Sequence, residues 1–213
     1  MNRPVKRRSY DSSRRQNQAR ETRVAILAAA RAQFLEHGYA ATTVGEIAAA
    51  VGVSVETVYK AFANKAGLLK AMFDVAIVGD DEPIPLQQRE MVARIHAESD
   101  GRKKLAIYGG AYAARAERAV PVQLLVRDAA ASDPGARAVL DQLNQERLAG
   151  MTAFARHLSD AKVLRGGVRA ADARDVLWLF TAPEAYERLV IERGWTRKRF
   201  GTWITQQLVA ALL

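Results

Sequence analysis

No cysteine occurs among the 213 residues, which removes disulfides, thiolate metal sites and cysteine nucleophiles and fits a reducing compartment. Histidine is nearly as scarce. His37, His96 and His157 are far apart in sequence and form no metal-ligand spacing, so no metal site is expected and each reads as an ordinary surface or packing residue. No apolar run approaches the roughly 18 to 20 residues that span a bilayer, and the basic N-terminus is not followed by the apolar stretch of a signal peptide. The expectation is a cytoplasmic protein without membrane contact. Also missing are a Ser/His/Asp order with a nucleophile elbow, a phosphate-binding glycine loop and clustered metal ligands, so neither catalysis nor a cofactor is expected. The period-two alternation of a strand is found nowhere, which leaves an all-α fold.

What remains is apolar, helical and unevenly charged. Hydrophobic residues make up 49% of the chain, enough for a buried core in one or two domains. The net charge is +9, and its placement is informative. Residues 1–23 carry Arg3, Lys6, Arg7, Arg8, Arg14, Arg15, Arg20 and Arg23 against Asp11 and Glu21, a balance of +6. Residues 1–19 therefore read as a basic arm that is disordered when free; it could follow phosphates, enter a minor groove or serve only as a solvated tail.

Residues 42–62, TTVGEIAAAVGVSVETVYKAF, have the spacing of a helix-turn-helix. Thr43 and Glu46 form a capping box. Val44, Ile47, Ala48 and Val51 then share one helical face, and Gly52 supplies a left-handed stop. Ser54 caps a second helix, in which Val55, Val58 and Phe62 point inward while Glu56, Thr57 and Lys60 point away. That outward face carries groups able to meet base edges and phosphates of double-stranded DNA in a major groove. The same caps and spacing would also suit a plain helical hairpin in an all-helical core.

Thr43, Ile47-Ala48, Gly52-Val53-Ser54, Tyr59, Phe62, Lys65 and Leu68 stand at the spacing of the signature of the tetracycline-repressor (TetR) family of bacterial transcription regulators, which the N-terminal segment resembles. Val51 replaces the family's usual Ala, and Ala66-Gly67 follows Lys65 where an acidic residue is common. A weaker likeness lies in TAPEAYERLVIERGW and the closing helix. By resemblance and geometry together, Ser54, Val55, Glu56, Thr57, Tyr59 and Lys60 are candidate recognition-helix positions. Thr57 and Glu56 could contact bases, Glu56 being equally suited to the helix dipole. Tyr59, Lys60, Thr43 and Lys65 suit phosphate contacts.

The expected domains are the arm (1–19), the helix-turn-helix domain (20–63), a connector helix (64–81) and a C-terminal effector-binding and dimerisation domain (82–213). The first helix is expected over 20–37, burying Val24, Leu27, Ala28, Phe34 and Leu35. Glu82-Pro83-Ile84-Pro85 breaks the chain. Helical periods follow at about 86–98, 102–117, 120–131, 135–161, 171–193 and 196–212, with Pro183 either kinking the penultimate helix or starting a separate one. The resemblance implies a homodimer on a palindromic operator through the last two helices, here with Trp178, Phe200, Trp203, Ile204 and Leu208. It also implies release by a small-molecule effector. Tyr108, Tyr112, Met151, Phe154 and Trp178 are candidate lining, and Arg127 could meet an anionic group. Gly109-Gly110 inside a helix indicates either close helix approach or room for a ligand. The alternative is a DNA-binding regulator with no small-molecule effector, constitutive or controlled by a partner.

Overall fold

A computed structural model of the chain describes residues 10–79 and 88–213, with side chains from residue 14 onward. The breaker at 82–85, the end of the connector at 80–81 and the first nine residues of the arm lie outside the described residues. Ten α-helices and one π-helical segment are present among the described residues, without strands. The all-α expectation holds.

The chain divides into a first compact unit ending at Met72 and a second from Phe73 to Leu213. In the first unit α1 (Tyr10–His37), α2 (Val44–Val51) and α3 (Val55–Phe62) are followed by α4 (Lys65–Val78), within which the division falls. α1 starts ten residues earlier than its apolar period indicates, so the second half of the basic arm is helical. Its inward stripe is also rotated: Ile26, Leu27, Ala30 and Phe34 are buried, whereas Val24 and Leu35 are exposed and Ala28 faces outward. Arg23 counts as polar in sequence but belongs to the inward side: it lays its guanidinium 4.5 Å from the Phe62 ring and donates to the Ala61 carbonyl at 3.3 Å. An amphipathic side chain thus extends the apolar stripe.

Val44, Ile47, Ala48, Val58, Phe62, Leu68 and Leu69 complete this core, while Val51 and Val55 are only half-buried. Gly52 takes φ +68° at the stop of α2, the left-handed conformation glycine adopts without steric cost. At α4, Asn64 Oδ1 accepts from Gly67 N at 2.7 Å as the cap. A Cβ on Gly67 would lie 2.1 Å from the Phe62 carbonyl oxygen. The departure at Ala66-Gly67 therefore has a packing reason.

The second unit contains α5 (Glu90–Ala97), α6 (Gly101–Ala129), α7 (Pro134–Asp160), α8 (Ala170–Phe180), α9 (Pro183–Tyr186), the π-helical Glu187–Glu192 and α10 (Arg197–Leu212). Pro183 starts a separate helix. The segments expected at 102–117 and 120–131 are one helix running through Pro121. A proline inside a helix costs about 3 kcal/mol relative to Ala, and burial of Ala119, Val120, Val122 and Gln123 on either side offsets it.

α6 crosses α10 at small residues. A Cβ on Gly109 would meet Thr205 Oγ1 at 2.3 Å and the Gly201 carbonyl at 3.2 Å, whereas one on Gly110 would meet nothing within 4 Å. Close helix approach is thus the reason for Gly109. Phe200, Ile204 and Leu208 of α10 are all 0% exposed within this single chain. They are core residues, so the expectation that they face a second subunit is corrected: the apolar period of α10 is used up inside the unit.

Two of the histidines have packing roles. His96 and His157, distant in sequence, stack at 4.3 Å. The ammonium of Lys104, buried at 2% exposure, donates to the Ile95 carbonyl at 2.6 Å and lies 3.0 Å from His157 Nε2. The lysine thereby ties the end of α5 to α6 and α7. No group of three or more metal-ligating side chains is found among the described residues.

Candidate functional site

Two sites arise, one in each unit. In the first unit, the start of α2 is held by a reciprocal cap: Thr43 Oγ1 accepts from Glu46 N at 3.2 Å, and Glu46 Oε2 accepts from Thr43 N at 2.7 Å and from the Thr43 hydroxyl at 2.9 Å. The Thr43 backbone N–H, then its hydroxyl, hold the Glu46 carboxyl below its ordinary value. Such caps contribute about 1 kcal/mol. They also fix the backbone where α2 begins. Behind the cap, Thr42 is buried and donates to the carbonyls of Gln33 (3.2 Å) and Gly38 (3.0 Å).

α3 starts at Ser54, whose Oγ accepts from Thr57 N at 3.2 Å and lies 3.1 Å from Thr57 Oγ1. Val58 and Phe62 are buried, so Ser54, Glu56, Thr57, Tyr59 and Lys60 are presented together on the exposed side, with Val55 half-buried at its edge. Tyr59 is 46% exposed, a large fraction for an aromatic side chain. The Glu56 carboxyl is held below its ordinary value by its own backbone N–H first and by Ser54 second. This is the helix-start role weighed above for Glu56. Lys65 lies elsewhere: its ammonium stands 4.2 Å from the Tyr39 ring centroid and 5.8 Å from that of Phe34, and the residue is half-buried. Sequence reasoning passed over Arg23, which braces the C-terminal end of α3. Only its position on the helix stripe signalled this.

In the second unit a cavity of about 300 Å³ is lined by α4, α6, α7 and the end of α8. Phe73, Ile77, Ala116, Ala119, Val120, Leu143 and Met151 make it apolar, and Tyr112, Arg115, Gln123, Glu146, Arg147 and Thr181 supply polar groups. Of the residues expected to line such a space, Tyr112 and Met151 do. Tyr108 sits behind them, its ring 4.6 Å from Phe154 and its hydroxyl 3.4 Å from Met151 Sδ. Trp178 lies beneath the Arg147 guanidinium at 3.4 Å. Arg127 is not at the cavity: it forms a two-pronged pair with Glu187 at 2.8 and 3.1 Å. Its anion is one of the chain's own carboxylates. Tyr112 Oη and Arg147 Nη1 both donate to the Thr181 carbonyl, at 2.8 and 3.1 Å, and burial raises the Tyr112 phenol above its ordinary value. Arg115 stands at core-like spacing with Tyr108 and Tyr112, but Gln123 and Arg147 were missed, since a polar residue inside an amphipathic helix gives no sign that it turns toward a cavity.

Residues 26–72 match the family described as bacterial regulatory proteins, tetR family. Among curated proteins, the HTH-type transcriptional regulator TtgR of Pseudomonas putida is 41% identical over 61 residues, which are 29% of this chain and 29% of that protein. The chain thus spans under a third of the curated relatives it matches. Solved structures share the fold across nearly the whole chain. NalD of Pseudomonas aeruginosa, the secondary repressor of the MexAB-OprM multidrug efflux pump, has a TM-score of 0.72 at 21% identity, covering 92% of this chain and 98% of its own. FadR of Bacillus subtilis, solved in complex with stearoyl-CoA, has a TM-score of 0.69 at 20% identity, covering 89% and 99%.

Proposed function

We propose, from the match of residues 26–72 to the tetR family of bacterial regulatory proteins, that the protein is a homodimeric transcriptional repressor released from a palindromic DNA operator by a small molecule. The observation that carries the DNA-binding part is the doubly capped α2–α3 pair, whose buried Val58 and Phe62 leave Ser54, Glu56, Thr57, Tyr59 and Lys60 in solvent together. α3 is the reading helix. Thr57 contacts a base edge, while Tyr59 and Lys60 set register on phosphates, with the start of α2 at Thr43 as a further backbone contact. Lys65, already docked on Tyr39, has a supporting role on phosphate. Acting through Arg14, Arg15 and Arg20, all exposed, the basic start of α1 adds nonspecific attraction to DNA.

The dimer uses what α8 and α10 leave outside their core. Leu179 is 65% exposed, and half-buried Phe180, Trp195 and Trp203 form a continuous aromatic surface through edge contacts of 6.0 and 6.2 Å. Trp178 lies next to Leu179 on the same helix. Ligand response is supported by the cavity, which a regulator without an effector would not need. α4 is the mechanical element, because Phe73 and Ile77 line the cavity and the same helix begins at the Asn64 cap.

Two substitutions test the DNA assignment. Lys60→Ala should weaken binding to all sequences alike and lower the slope of log affinity on log salt by about one unit, whereas Thr57→Ala should change preference at one base position. A Lys60→Ala protein with altered base preference would contradict the division of roles.

A further inference from the structure

We propose that the ligand of the second-unit cavity is a small amphipathic carboxylate, its head group held between Arg147 and Arg115 and its apolar body against Phe73, Ile77, Val120 and Leu143. The inference rests on the reading of this cavity as the effector site and names the chemistry it selects.

Arg147 carries the argument. Nη1 is committed to the backbone, donating to the carbonyls of Trp178 at 3.0 Å and Thr181 at 3.1 Å. Its plane is fixed over the Trp178 ring at 3.4 Å. Nε, however, is buried and has no hydrogen-bond partner among the described residues. A guanidinium N–H shut away from water without an acceptor is costly, and a carboxylate is the acceptor that a guanidinium edge matches best. Burial holds Arg147 below its ordinary value, outweighing the pull of Tyr112, Tyr108 and Glu184. A bound anion would relieve that penalty.

Arg115 gives the second cation. It lines the same cavity, is half-buried and has its guanidinium 5.5 Å from the Tyr112 ring. Among the described residues neither Arg115 nor Arg147 is ion-paired, in contrast to Arg127 with Glu187. The one carboxylate in the lining, Glu146, is exposed and accepts from Gln142 Nε2 at 2.8 Å. A cationic ligand would thus face two guanidiniums against this single exposed carboxylate. A neutral apolar ligand would leave both guanidiniums without an anionic partner. The size is also selective: 300 Å³ corresponds to about ten water volumes, room for on the order of ten to fifteen non-hydrogen atoms.

The test is calorimetric titration of the full chain with octanoate, hydrocinnamate, octanol and octylamine. The two carboxylates should bind saturably, and octanoate about tenfold or more tighter than octanol or octylamine. Arg115→Gln and Arg147→Gln should each remove that preference, with octanoate falling to the affinity of octanol measured on the same variant. Arg115→Gln is the safer variant, because Arg147 also holds α8. Equal or tighter binding of octanol or octylamine overturns the proposal, as does failure of both carboxylates to bind. Displacement from DNA is read separately. If octanol alone binds and releases DNA, the regulator stands and the anion assignment falls; if octanoate binds without changing DNA affinity, the anion site stands and the effector reading falls.

Discussion

Gly109 and Gly110 are neighbours in sequence and in helix α6, yet replacing each with alanine should move stability in opposite directions. At Gly110 a Cβ would enter open space, so Gly110→Ala gains the intrinsic helical preference of alanine, about 0.8 to 1 kcal/mol. At Gly109 the same gain is opposed by contact with α10. The new Cβ would lie 2.3 Å from Thr205 Oγ1, 3.2 Å from the Gly201 carbonyl oxygen and 3.3 Å from Thr205 N. Rotating Thr205 away would break its 2.9 Å hydrogen bond to Gly201 O, and it would leave both backbone contacts in place. α10 must then move as a body, and overpacking of this kind costs about 1 to 3 kcal/mol. The net effect expected at Gly109 is a loss of up to about 2 kcal/mol, and since the helical gain is common to both, the two variants differ by the overpacking cost of about 1 to 3 kcal/mol. Urea unfolding followed by tryptophan fluorescence reports on the second unit, because Trp178, Trp195 and Trp203 all lie there. In a thermal scan each kcal/mol corresponds to about 2 to 4 °C at this size. Should Gly109→Ala prove as stable as Gly110→Ala, the account of the α6–α10 crossing is wrong.

Three further outcomes are expected. Gly67→Ala drives a Cβ to within 2.1 Å of the Phe62 carbonyl and should destabilise the first unit by about 2 kcal/mol or more, with loss of DNA affinity; an unaltered circular-dichroism melt and unaltered binding would refute it. His157 is held below its ordinary value by burial first, then by the Lys104 ammonium and His96, against the opposing pull of Asp160 and the Ile95 backbone. The unfolded chain therefore binds the proton more readily, so this contribution is complete above about pH 6.5 and is lost as pH falls through the folded value. Urea midpoints between pH 7.5 and 5.5 should fall more for the wild type than for His157→Gln, and a wild-type midpoint that rises on acidification would be incompatible with the Lys104 geometry. Finally, Thr43→Ala removes one half of the α2 cap and should cost about 1 kcal/mol, measurable as a lower melting midpoint of the first unit with no change at tryptophan.

The helix-turn-helix was legible because its determinants are local. A cap, a left-handed glycine and an apolar repeat are all set within a few residues, and Thr43, Gly52, Ser54, Val58 and Phe62 each do what their spacing requires. The C-terminal residues were harder for a definite reason. An apolar stripe has the same period whether it faces its own core or a second subunit, so Phe200, Ile204 and Leu208 could not be separated from interface residues by pattern. Charged residues posed the converse problem. Arg127 in VQLLVRDAA stood out as an unexplained cation, but Glu187, 60 residues away, neutralises it. Arg147 drew no notice among the polar residues of α7 and holds the buried nitrogen that has no partner among the described residues. Pairing across such distances is decided by the tertiary fold.

The most direct test of the central claim is footprinting of the purified protein on genomic fragments selected at physiological salt. The account predicts a protected palindrome whose half-sites lie about one helical turn, roughly 34 to 36 Å, or a related spacing apart, and protection that fades in Lys60→Ala. Diffuse, strongly salt-sensitive binding with no protected palindrome would mean that the basic N-terminal residues dominate and that α3 does not read sequence.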